Sequence, residues 1–150
     1  MVNALDGAFA SLIDSLKELV RSVDPELLYR HPPPVSIGEQ ILRSAAVIEQ
    51  TFGGLTANLW DDPFEWTLPE TLSTSESIVD YLSEVDSTRS RFFNSLANDG
   101  ALGKFVSVPS GESKKLIELL LDTLVRAGDY RGRAMSSHKE AQESQEGTGG

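Results

Sequence analysis

The stretch Ser113–Ala134, SKKLIELLLDTLVRAGDYRGRA, decides the fold class. From Leu116 to Val125 its apolar residues spread over a wide arc at helical spacing, as expected of a helix that touches more than one neighbour. Its last turns then become charged, with Arg126, Asp129, Tyr130, Arg131 and Arg133 where continued burial is expected. The upstream chain must therefore supply helices for the apolar arc to pack against, and the charged end needs its own explanation.

Three upstream segments carry the same period. Leu5, Phe9, Leu12, Leu16, Leu19 and Val23 alternate steps of four and three, one narrow stripe. The second helix opens with Ser36 and Glu39 at capping-box spacing and continues through Ile37, Ile41, Ala45, Ile48, Phe52 and Leu55, weakened near its end by Gly53 and Gly54. The third opens with Ser73 and Glu76 at the same spacing, runs through Ile78, Leu82, Val85, Arg89, Phe92 and Leu96, and stops at Asn98–Gly100.

The connections are equally readable. Asp24 before Pro25 predicts the N-cap and first turn of a short helix, and Pro32, Pro33 and Pro34 force an extended link. Trp60, Phe64 and Trp66, among acidic residues and prolines, predict an ordered loop with its aromatics packed on the helices. Phe105, Val106 and Val108 predict a short extended piece, and Ser110 to Ser113 the start of the fourth helix. Residues 136–150, SSHKEAQESQEGTGG, are polar and read as a disordered tail. The expected fold is all-α: a four-helix bundle over residues 1–135, with a long connection between helices two and three that argues against a plain up-down order.

Composition bounds the function. The chain has 150 residues and a net charge of −10, a balance that disfavours nucleic acid, which is held by clustered Lys and Arg. It has no cysteine, which removes disulfides, thiolate metal sites and cysteine nucleophiles. No apolar run approaches the roughly 20 residues of a membrane span. MVNALDGAFASL has no basic residues ahead of its apolar ones, so no signal peptide is expected and a cytoplasmic protein is the default.

HPPPVSIGEQILRSAAVIEQ, SVPSGESKKLIELLLDTLV and DYRGRA, in this order and at these separations, resemble the proline turn with second helix, the link into the fourth helix, and the His-Arg-Gly-Gln segment of the DinB-like four-helix bundles. The resemblance covers roughly Leu5 to Met135. It implies homodimers, and a divalent zinc or nickel ion held by one histidine on helix two and two histidines four apart on helix four. It also implies thiol-dependent transferases (mycothiol or bacillithiol type), isomerases or hydrolases as relatives. Residue by residue, Arg126 and Tyr130 stand where the paired histidines would be, and Arg43 stands in the third position, or Ser44 if helical phase decides.

The chain has two histidines, His31 in the proline turn and His138 in the tail, and neither falls on a predicted helix. A guanidinium cannot release a proton to bind a metal, so the resemblance implies a degenerate site with no metal and no cofactor. Arg43, Arg89, Arg126 and Tyr130 are the candidate pocket residues, able to hold a small anionic ligand where the cation was lost. Arg89 interrupts an apolar seam and needs partners, for which Glu39, Glu49, Asp122 and Asp129 are candidates, unless it reaches out at the edge of the bundle. The plainer reading of the fourth helix is a pair of i,i+4 salt bridges, Asp122–Arg126 and Asp129–Arg133. Three function classes follow, the last a structural subunit whose apolar surface serves only an interface. One is a metal-independent binding or scaffold protein, homodimeric, with neither nucleic acid nor membrane as partner. Another is a metal-dependent hydrolase or thiol-dependent transferase, for which a carboxylate-only site of Glu39, Glu49, Asp122 and Asp129 is conceivable.

Overall fold

The apolar stripes become four α-helices among the residues that the computed structural model describes, 1–30, 35–65 and 67–148. They are α1 (Val2–Ser22), α2 (Ile37–Ala57), α3 (Ser75–Ser95) and α4 (Leu116–Thr148). The fold is all-α, and the described residues add one two-stranded hairpin, β1 (Phe105–Ser107) and β2 (Ser113–Lys115), and three short 3-10 helices in the connections. Among the described residues no helix is long and apolar enough to cross a membrane.

The α1 stripe is buried as its spacing predicts, and Ile13 and Val20 join it. Phe9 of α1, Phe52 of α2, and Phe92 and Phe93 of α3 form one aromatic cluster with ring centroids 5.1–6.0 Å apart. Edge and tilted pairs of this kind add about 0.5–1.5 kcal/mol each beyond the burial of the rings.

The wide apolar arc of α4 belongs instead to α2. That helix is buried on nearly every side, through Leu42, Ser44, Ala46, Val47, Thr51 and Gly54 as well as its predicted stripe. On α4, Leu120 and Ala127 are fully buried, but Val125 is 71% exposed and Leu121 46%. The main seams join α2 to α4 and α1 to α3, and α2–α3 and α1–α4 contacts close the ring. Consecutive helices α1 and α2 barely meet. The long connection expected to break a simple order joins the neighbours α2 and α3; the α1–α2 and α3–α4 links are the ones that run across the diagonals.

Local signals landed with shifts. Asp24 caps the 3-10 helix Pro25–Leu27 by accepting from the Glu26 amide at 3.1 Å, and Ser36 caps α2 through the Glu39 amide at 3.2 Å. On α3 the box is Thr74 with Ser77 rather than Ser73 with Glu76: each hydroxyl accepts from the other residue's amide at 3.1 Å. The run Ser-Thr-Ser-Glu-Ser offers several equivalent caps, and the sequence cannot choose among them. Ser110–Ser113 does not start α4. Pro109, Ser110 and Gly111 form a hairpin loop, with Gly111 at φ 85° and its amide donating to the Val108 carbonyl at 2.9 Å, so α4 begins only at Leu116. Residues 136–148, expected to be disordered, continue α4 as helix, and Ala141 packs half-buried against the core. His31 and Pro32–Pro34 lie outside the described residues, as does Trp66.

Candidate functional site

Two polar links fix the rotation of α2 against α4. Ser44 Oγ donates to the Ala127 carbonyl at 2.7 Å, fully buried. Thr51 and Thr123 hydroxyls meet at 2.7 Å. Thr123 commits its one proton to the Leu119 carbonyl at 2.8 Å, so Thr51 is the donor between them. With Ser44 turned into the seam, Arg43 is carried out of it onto the adjoining cleft.

That cleft is lined by Arg43, Ala46, Val47 and Gln50 of α2, Asp62 and Phe64 of the following loop, and Arg126 and Tyr130 of α4, around a volume of about 60 Å³. The loop is tied down locally. Gln50 Nε2 donates to the Trp60 carbonyl at 2.8 Å, and Asp62 Oδ1 accepts from the Phe64 amide at 3.0 Å. The Trp60 ring lies over Gly54, where a Cβ would come within 2.3 Å of it. The Arg43 guanidinium carbon stands 4.1 Å above the centroid of the Phe64 ring, a cation–π contact that holds the charge at the rim. Two guanidinium groups face one carboxylate here, and neither arginine has an ion-pair partner among the described residues.

Arg43, Arg126 and Tyr130 therefore come together, and Arg89 does not join them. It lies between α3 and α1, its side chain 11% exposed, bonded to Asp6 and, at 2.7 Å, to Asp86. Burial works against its charge, but the bonds to Asp86 and Asp6 outweigh that and raise its pKa. None of the four expected counter-ions is its partner, because the seam it interrupts faces α1. On α4 the Asp129–Arg133 bridge forms at 2.8 Å, both residues well exposed; Arg126 is exposed and makes no bridge with Asp122.

The residues of the cleft do not fit a zinc or nickel ion. Guanidinium nitrogens cannot serve as ligands, which leaves the Tyr130 phenol, the Asp62 carboxylate and the Gln50 amide as oxygen donors. Among the described residues no three His, Asp or Glu side chains gather to hold a metal, so Glu39, Glu49, Asp122 and Asp129 do not form a carboxylate site. Asp62 and Gln50 are the cleft residues that sequence reasoning missed. The Asp-Pro-Phe turn hinted at Asp62, since an aspartate two residues before an amide commonly accepts from it.

A part-buried polar pair between α2 and α3 is also new. The Tyr81 hydroxyl of α3 donates to Glu49 of α2, whose carboxyl burial pushes above its ordinary value, with the Tyr81 bond opposing and Glu84 adding.

Compared with known proteins, the chain matches no family model and no curated sequence.

Proposed function

We propose that the protein is a DinB-like four-helix bundle whose metal position is occupied by a cation-lined cleft, and that it binds a small anion without a metal. The observation that supports this is the convergence of Arg43, Arg126 and Tyr130, the three positions matched to the family's ligands, on one cleft. Two guanidinium groups and a phenol are donors suited to an oxyanion, and the volume of about 60 Å³ admits only a compact one, such as phosphate, sulfate or a carboxylate head. The homodimeric, cytoplasmic setting belongs to the same reading. So does the absence of a catalytic role, since a transferase or hydrolase of this family works through a metal that the cleft residues do not suit.

Two measurements test it. In a thermal-shift series phosphate and sulfate stabilise the wild type, and the effect is lost in Arg43→Met and Arg126→Met; stabilisation that persists in both variants refutes the anion site. Replacing Arg43, Arg126 and Tyr130 together by histidine restores the triad of the family, and the triple variant takes up about one zinc per chain. Failure to bind zinc in a folded triple variant counts against the family assignment while leaving the anion site standing.

A further inference from the structure

A separate groove of about 380 Å³ lies between α1 and α4, lined by Ala8, Ser11, Leu12, Ser15, Leu124, Gly128 and Arg131. Its charge comes from Arg131 alone. Nη1 of that side chain donates to Ser15 Oγ at 3.0 Å and lies 3.3 Å from Met135 Sδ. Its Nε is shut off from solvent with no acceptor, and Nη2 bonds to no described residue. No carboxylate pairs with it among the described residues, in contrast to Arg89 with two. Nε, closed to solvent, is closed to a ligand as well, but Nη2 is not shut off and keeps its donors for an incoming oxyanion. The Ser11 hydroxyl, exposed on the same face of α1, makes no bond within the described chain and adds a further donor.

The remaining walls are apolar or lack a side chain. Leu12 and Leu124 face the groove, and Gly128 opens it: a Cβ built there meets nothing within 4 Å. A helix interior disfavours glycine relative to alanine, and no described residue lies close enough to a Cβ at this position to require one.

We propose that this groove binds a monocarboxylate with a small aliphatic or aromatic body, its carboxylate on Arg131 and the serine hydroxyls and its body against Leu12, Leu124 and the bare face of Gly128. A single guanidinium in a chain of net charge −10 selects a monoanion over a phosphate dianion, and the leucines select an apolar body over a sugar. The volume is within the range of small-molecule sites, several times that of the Arg43–Arg126 cleft. This site does not depend on the reading of that cleft.

The test is calorimetric titration of the full chain with hexanoate and benzoate, with acetate, hexanol and inorganic phosphate as comparisons. Hexanoate and benzoate bind; acetate, lacking the body, and hexanol, lacking the charge, bind at least about tenfold more weakly. Arg131→Met weakens hexanoate by about ten- to a hundredfold, as loss of a charge-assisted hydrogen bond does. Gly128→Leu fills the groove from open space, so it folds and melts no lower than wild type yet no longer binds. Hexanoate affinity unchanged in both variants would place the ligand elsewhere and overturn the proposal, as would wild type that binds no carboxylate. A wild-type dimer that Gly128→Leu splits in sedimentation would also overturn it, by making the groove an interface between two copies.

Discussion

Ser44 on α2 and Ala127 on α4 are joined by a buried hydrogen bond, hydroxyl to carbonyl at 2.7 Å, and this contact sets which neighbour of Ser44 reaches the cleft. Had Ser44 faced the cleft, Arg43 would have turned away from Arg126 and Tyr130. Ser44→Ala removes the bond without adding volume and is expected to cost about 0.5–1.5 kcal/mol in urea unfolding. It should also loosen anion stabilisation by the cleft, since α2 loses one of its two polar anchors to α4. A variant as stable as wild type would show the bond to be incidental.

Arg89 is expected to be structural. Asp6 and Asp86 are each about one-third exposed, so the cluster lies between a surface and a buried ion pair in strength. Arg89→Met leaves two carboxylates around a methyl group and should destabilise the fold by about 1–2 kcal/mol, with no change in anion binding. The coupling between Arg89→Met and Asp6→Asn in a double-mutant cycle measures the α1–α3 share. Loss of phosphate stabilisation in Arg89→Met would return this residue to the pocket.

Glu49 makes stability depend on pH in a defined direction. Its folded pKa is raised above the ordinary 4.5, chiefly by burial, so the folded state holds the proton more tightly than the unfolded one. Stability from this residue is therefore full below about 4.5, the unfolded value, and declines as pH rises through the folded pKa. Glu49→Gln keeps an acceptor for Tyr81 and removes the titration. Its stability advantage over wild type should grow between pH 4.5 and 7 in denaturant titrations at several pH values. A constant difference across that range would rule out the shift.

Glycines on the two helices of the seam should respond oppositely to alanine. At Gly38 a Cβ would come within 2.4 Å of the Tyr29 ring and 2.9 Å of the Leu28 carbonyl, whereas at Gly132 it meets nothing within 4 Å. Gly38→Ala is expected to lower stability by about 1–3 kcal/mol through overpacking. Gly132→Ala should raise it by about 0.5–1 kcal/mol through helix propensity. Thermal melts of the two variants side by side check both signs.

Truncation after Met135 separates helix from core. The removed part of α4 is helical through Thr148, but of its described side chains only Ser137, His138 and Ala141 are even half-buried. Circular dichroism should lose helical signal while the melting temperature falls by only a few degrees, in line with the small loss of buried surface. Unchanged ellipticity would mean that the segment is not helical in solution.

The sequence by itself determined the helices, because a 3.6-residue apolar period survives any detail of packing: the stripe from Leu5 to Val23 is buried as read, and that from Ile78 to Leu96 is buried at Ile78, Leu82, Val85 and Phe92 and half-buried at Leu96. The grouping of Arg43 (or Ser44), Arg89, Arg126 and Tyr130 came from the resemblance to the DinB-like bundles, and Arg89 does not join the other three. Tertiary structure alone decided the rest. Whether Arg43 or Ser44 faced the cleft depended on a bond to a backbone carbonyl 83 residues away. The partners of Arg89 were decided by which helix lies across its seam, and Asp6 on α1 is 83 residues distant. Leu121 and Val125 are as apolar as any core residue, yet they are exposed because α2, not α4, took the central place. Periodicity records which residues share a face of one helix; it carries no information about which other helix that face will meet.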